Sequence, residues 1–183
     1  MEYYLIKADA DYSDVPVVVN WFDRIDVRDM KRNRAYRLPE RELLFLYNNP
    51  YTTFTDILFR PFLLVSEKMQ EVISLYEPDT IFKEVVLLDT ANELAELYYC
   101  PVLHEMDCLT EESEFNPDRS VIKKAVLNVS RIEDKSVFLL AGVQGAHIVG
   151  RLDFIESILR RDIRGLTLIP IETINKISAM EWK

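Results

Sequence analysis

The sequence predicts an α+β protein, a mostly antiparallel mixed sheet with a few short helices packed on it, and three observations predict it. The stretch from Ser136 to Ile171 holds all four glycines and reads as strand, turn, strand, helix, strand. Short β-branched and aromatic runs bounded by polar residues recur along the rest of the chain. Helical spacing of apolar residues is confined to brief segments.

Taken in order, Tyr3 to Lys7 reads as a first strand, and Val15 to Phe22 is compatible with a strand or with buried extended chain. Residues 23–41 mix both signs of charge densely and hold few core-sized side chains, which predicts an exposed helix turn or loop. Ser66 is placed to cap a helix whose Met69, Val72, Ile73 and Tyr76 repeat at helical spacing and which Pro78 ends. Phe82 to Asp89 predicts a strand around the run Val85 to Leu88, paired through a turn near residues 90–94 with an extended Tyr98 to Val102. Residues 105–119 are polar and acidic without a sustained period, the pattern of a surface loop. Ala125, Leu127 and Val129 alternate as in a half-buried strand, turning at Glu133 to Lys135 into the glycine-bearing unit.

In that unit Asp153 and Glu156 have the spacing of a capping box, in which two side chains satisfy otherwise orphan backbone donors. Ile155, Ile158 and Leu159 form one apolar stripe, and Arg160 and Arg161 suit the negative end of the helix dipole. Gly165 reads as the residue that ends the helix, and Leu166 to Ile169 as a strand closed by Pro170.

A length of 183 residues with 49% hydrophobic content fits a single domain spanning 1–183, one that buries roughly 70% of its unfolded surface. No run reaches the ~18 apolar residues of a membrane span, and the N-terminus has no basic n-region ahead of a long apolar stretch. A cytoplasmic location is therefore expected. Two cysteines make no disulfide framework, which agrees with a reducing compartment, although one bridge stays open.

The net charge of −9 is uneven: residues 61–120 carry 3 basic and 14 acidic side chains, −11 for that third alone. Phosphate repulsion argues against nucleic acid there, whereas a basic protein partner would be attracted. Six basic residues from Arg24 to Arg37 are interleaved with Asp23, Asp26 and Asp29, as on a solvated face.

Motifs that carry chemistry are missing from the sequence. Cys100, His104 and Cys108 have metal-ligand types, but residues four apart on a strand lie roughly 13 Å apart, and Pro101 opposes a helix that would gather them. His104-Glu105 lacks the second histidine of a zinc protease. Gly145 to Gly150 has phosphate-loop glycine spacing, but Arg151 and Leu152 stand where Lys and Ser or Thr are needed. No dinucleotide fingerprint or nucleophile elbow occurs, and His147 reads as a strand histidine. The expectation is no cofactor, no metal site and no catalytic residue.

The segments DILFRPFLLVSEKMQEVISLYEP, YYCPVL with Asp107-Cys108-Leu109 after it, and RLDFIESILRRDIRGLTLIPI resemble a bacterial α+β family catalogued as a domain of unknown function and similar to immunity proteins of polymorphic toxin systems. The resemblance covers about residues 56–174; before it, only the opening strand at Tyr3-Tyr4-Leu5 matches. It implies a small non-catalytic protein that binds and neutralises a cognate toxin. With the acidic central third, it points to Glu105, Asp107, Glu111, Glu112 and Glu114 as contacts to a basic toxin domain. The alternatives are a hydrolase pairing a carboxylate with His147, and an oligomeric scaffold; the number of subunits stays open.

Overall fold

Alternation, caps and turn residues decide where the chain extends and where it coils in the computed structural model, which describes residues 1–175. In chain order the elements begin with β1 (Tyr3–Ala8), β2 (Arg41–Phe45), β3 (Ile57–Leu58), β4 (Leu64–Val65) and α1 (Glu67–Tyr76). There follow β5 (Ile81–Asp89), β6 (Leu94–Val102), β7 (Glu105–Met106), β8 (Glu114–Phe115), β9 (Ile122–Lys124) and β10 (Val126–Asn128). The last are β11 (Val137–Leu140), β12 (Ile148–Arg151), α2 (Leu152–Arg160) and β13 (Leu166–Ile174). Short 3-10 turns at Val27–Asp29 and Ala35–Arg37 are the only helical structure described in residues 23–41.

Two mixed, mostly antiparallel sheets result, so the fold is α+β and dominated by its sheets. The first has the order β10-β13-β1-β12-β11-β7, with the N-terminal strand between β13 and β12. The second has the order β2-β5-β6-β4-β3, built around the hairpin of β5 and β6, whose turn holds Glu93 at φ 55°. Opposite faces of the strands in the first sheet enter different cores. Ile6 and Ile148 of the first sheet meet Ile57 and Val65 of the second in a central cluster with α1 and α2. Tyr3, Leu5 and Val149 point the other way, under residues 106–140. Leu44, Val85 and Leu87 face a third cluster covered by Val18, Ile25, Ala35 and Leu38.

Helix α1 starts as predicted: the Ser66 hydroxyl accepts the Met69 N–H at 3.3 Å, and Met69, Val72 and Ile73 are buried. Helix α2 differs from its predicted cap. It begins at Leu152, whose N–H donates to the Glu2 carbonyl at 3.0 Å, so the neighbouring strand fixes the start. Asp153 sits inside the first turn, where its carboxylate accepts from Arg151 at 2.7 and 2.8 Å, a pairing that holds it below the usual carboxylate range. The buried stripe is rotated by one residue: Phe154, Ile155 and Ile158 are buried, and Leu159 is 56% exposed. A Cβ at Gly150 would lie 2.8 Å from Ile155 and 2.9 Å from Phe154, so the absent side chain is what lets α2 lie this close to β12.

The helix ends with Asp162 in the left-handed region at φ 51°, not at Gly165. Gly165 has another role: at φ 89° it turns the chain into β13 with its Cα against Thr55, where a Cβ would come within 2.5 Å. Pro170 does not close the strand, which runs to Ile174. Because β10 pairs only with Glu172 to Ile174, the missing N–H at Pro170 interrupts no ladder to a second neighbour.

The acidic stretch 105–119 is more ordered than a surface loop. β7 pairs parallel to β11, Met106 and Cys108 are buried, and Cys108 accepts the Asn128 N–H at 2.8 Å. Substituting Phe154 by Ala should lower the free energy of unfolding by about 3–5 kcal/mol, while Leu159→Ala should change it by less than about 1 kcal/mol. Urea denaturation of both variants checks this, and equal losses would contradict the observed rotation of α2.

Candidate functional site

The five expected contact residues lie along one run but in unequal surroundings. Glu105, on the edge strand β7, is engaged with Lys31 at 3.1 Å. Asp107, Glu111, Glu112 and Glu114 are all exposed. The Lys124 ammonium, bonded to Glu172 at 3.0 Å, feels Glu112 and Glu114 as well, and together they raise its pKa.

Folding brings the basic segment onto the acidic third. Besides Lys31, Arg32 reaches Asp79 at 3.1 Å and Arg41 reaches Glu84 at 2.5 Å. Residues 23–41 are thus more than a solvated face. At the centre of this pairing Glu77, Asp79 and His104 bring ligand-type atoms within 4.8 Å of one another, a cluster that sequence spacing did not reveal. Their charge is already matched. Lys135 Nζ lies 2.9 Å from the buried Glu77 carboxylate and 4.0 Å from Asp79, and Glu77 also accepts the Ser136 N–H at 2.7 Å. The His104 ring at 2.9 Å and these cations hold the Asp79 carboxyl below its ordinary range. The arrangement works as a joint, tying the end of α1 to the start of β11.

Cys100, His104 and Cys108 do not converge: the two cysteines are free and belong to different core clusters. Burial pushes both thiols up to about 12. His147 lies before β12 with Nε2 2.9 Å from the Gln144 carbonyl, and burial holds its pKa down.

Two larger features escape the sequence reading. Register places Leu43, Val86 and Leu97 in one row across β2, β5 and β6, and Phe45, Leu88 and Ala95 in the next, all on one face. The same face carries Tyr99 farther along, where it packs into the central cluster. Beyond the helices that cover it there, the face is open: Leu43 and Phe45 are each 38% exposed and Leu97 39%. The outer edge of β2 is nonetheless engaged. The Phe45 N–H donates to Asn20 Oδ1 at 2.9 Å, the Leu43 N–H to Glu42 Oε1 at 2.9 Å, and the Phe45 carbonyl accepts from Val19 at 3.0 Å. The second feature is a cavity of about 720 Å³ between the end of β1, β3 with the turn after it, and the strap Tyr12 to Trp21.

Two consequences are measurable. Glu77→Gln should cost about 1–3 kcal/mol by removing the nearer of the two carboxylates beside Lys135, and adding Lys135→Met should restore part of it; a double-mutant cycle by denaturation reads the coupling. Both thiols should resist Ellman's reagent at about pH 8 until the protein is unfolded. Because the folded thiols keep protons that unfolded ones lose above their ordinary 9.0, stability should be unaffected by these thiols below that pH and fall as pH rises from there toward about 12. No helix among the described residues is long and apolar enough to cross a membrane. No family model matches the chain and no curated protein matches it, so geometry carries the functional argument.

Proposed function

We propose that this protein acts in the cytoplasm by binding a basic toxin domain and neutralising it through direct contact, as an immunity-type protein that makes and breaks no bonds of its own. The open face of the second sheet carries this reading. Its two rows of apolar side chains include the exposed Leu43, Phe45 and Leu97, and apolar side chains exposed side by side, unlike single ones, mark an interaction site. A standard interface takes ~800 Å² from each partner, so polar side chains around these rows would complete the contact.

The charge of the chain supports the basic character of the partner. A net −9, with exposed carboxylates at Asp107, Glu111, Glu112 and Glu114, attracts a cationic protein from a distance and speeds encounter. Glu105, held by Lys31, would join only by exchanging that partner. The apolar face would then supply most of the affinity, since long-range charge tunes association rate more than dissociation.

Co-expression with the product of the neighbouring gene, followed by size-exclusion chromatography, should give a stable mixed complex. Leu43→Asp with Leu97→Asp should weaken that complex by at least about tenfold, the loss expected when central apolar contacts are removed. Changing Glu111, Glu112 and Glu114 to lysine should slow association at low salt and flatten its salt dependence. Failure to form a mixed complex, or a complex indifferent to both sets of changes, would refute the proposal.

A further inference from the structure

The cavity between the sheets has the size and lining of a small-molecule site. Its volume of about 720 Å³ lies within the ~300–1,000 Å³ usual for ligand pockets. Val15, Pro16 and Val18 from the strap face Ile57, Leu58 and Phe59 from β3 and the turn after it, so most of the wall is apolar. Four polar side chains, Asp9, Tyr12, Trp21 and Arg60, also line it.

These four are not equivalent. The Asp9 carboxylate accepts the Asp11 N–H at 3.0 Å, which closes a local turn. Among the described residues Arg60 makes no ion pair or hydrogen bond, and neither the Tyr12 hydroxyl nor the Trp21 indole N–H has a hydrogen-bond partner. Arg60 is exposed, at the turn that leads from β3 into Pro61. Trp21 is held by ring contacts to Phe22 and Phe62, with centroids at 4.3 and 6.0 Å. The groups left unengaged are therefore donors, one of them cationic, at a chamber whose wall is apolar. A ligand that satisfies both must bring an apolar body and an oxygen-bearing anionic group.

We propose that this cavity binds a small amphipathic anion, its apolar body against Val18, Leu58 and Phe59 and its anionic oxygens accepting hydrogen bonds from Arg60, with Trp21 and Tyr12 as further donors. None of the residues lining the site stands in the two rows of the open sheet face, and the proposal does not depend on the partner-binding reading.

The test uses 1-anilinonaphthalene-8-sulfonate as probe on the full chain, with near-ultraviolet circular dichroism confirming that each variant is folded. Saturable one-to-one binding with enhanced, blue-shifted fluorescence is expected. Arg60→Ala, a change at an exposed position, should weaken binding about tenfold, as expected for loss of a charge-assisted hydrogen bond. The uncharged analogue N-phenyl-1-naphthylamine should bind Arg60→Ala and the unaltered protein alike. Val15→Trp, which adds volume to the wall, should reduce binding of both probes. Leu43→Asp with Leu97→Asp should change neither, even if it abolishes a mixed protein complex. Absence of saturable binding, equal sulfonate affinity with and without Arg60, or loss of binding only in the sheet-face variant would each overturn the proposal.

Discussion

The seam in which α1 and α2 pack between the two sheets is the constraint from which the rest follows. With 10 and 9 residues, neither helix is long enough to hold its conformation alone. Their mutual packing, with Tyr76 edge-on to Phe154 at 5.5 Å and its hydroxyl donating to the Asp153 carbonyl at 2.9 Å, is coupled to the inner faces of both sheets. Lys68 adds a crosslink to the Asp162 carbonyl at 2.8 Å, just past the end of α2. Helix α1 lies on β4 and β6 of the second sheet and α2 on β1 and β12 of the first, so removing either helix would expose apolar surface on its own sheet and on the other helix. The seam is also short: nine-residue strands such as β5 and β6 extend beyond what two small helices cover, and the open face begins there.

Electrostatics follows the same geometry. The negative middle third and the basic segment before it look like separate features along the chain, yet Lys31, Arg32 and Arg41 fold onto Glu105, Asp79 and Glu84. Exposed pairs of this kind contribute little stability each. Their larger effect is on the field of the molecule, since they locally compensate negative charge around the second sheet. The buried Glu77 is different: with Lys135 and the Ser136 N–H on one carboxylate, it couples the end of α1 to the first sheet through a group that cannot lose its partners without leaving a buried charge.

What the sequence disclosed is what short-range physics controls. Ser66, Pro78 and the spacing of Met69, Val72 and Ile73 sufficed for α1, and the run Val85 to Leu88 with its turn sufficed for the central hairpin. The misplaced cap of α2 shows the limit. Asp153 and Glu156 have cap spacing, but the Glu2 carbonyl, distant in sequence, sets the first turn. Gly165 looked like a helix terminator because its contact with Thr55 cannot be seen along the chain. In residues 105–108 a period-two signal was present, with acids outward and Met106 and Cys108 inward, but the density of carboxylates hid it. The open face and the cavity were hidden for a stronger reason: both are made by register and by segments dozens of residues apart.

The run Val85 to Leu88 illustrates how one pattern carries two meanings. Consecutive apolar residues on a strand ordinarily indicate that both faces are covered. Here Val85 and Leu87 are covered, while Val86 and Leu88 are only half-buried beside the exposed Leu43, Phe45 and Leu97. An uncovered sheet of this kind invites aggregation chiefly through its edge, where free N–H and C=O groups template another strand. At β2 those groups are engaged by Asn20, Glu42 and Val19. A closed edge beside an open face therefore disfavours a partner that adds a strand and favours one that lays an apolar surface flat against the sheet, in a geometry set by side-chain complementarity rather than by backbone pairing.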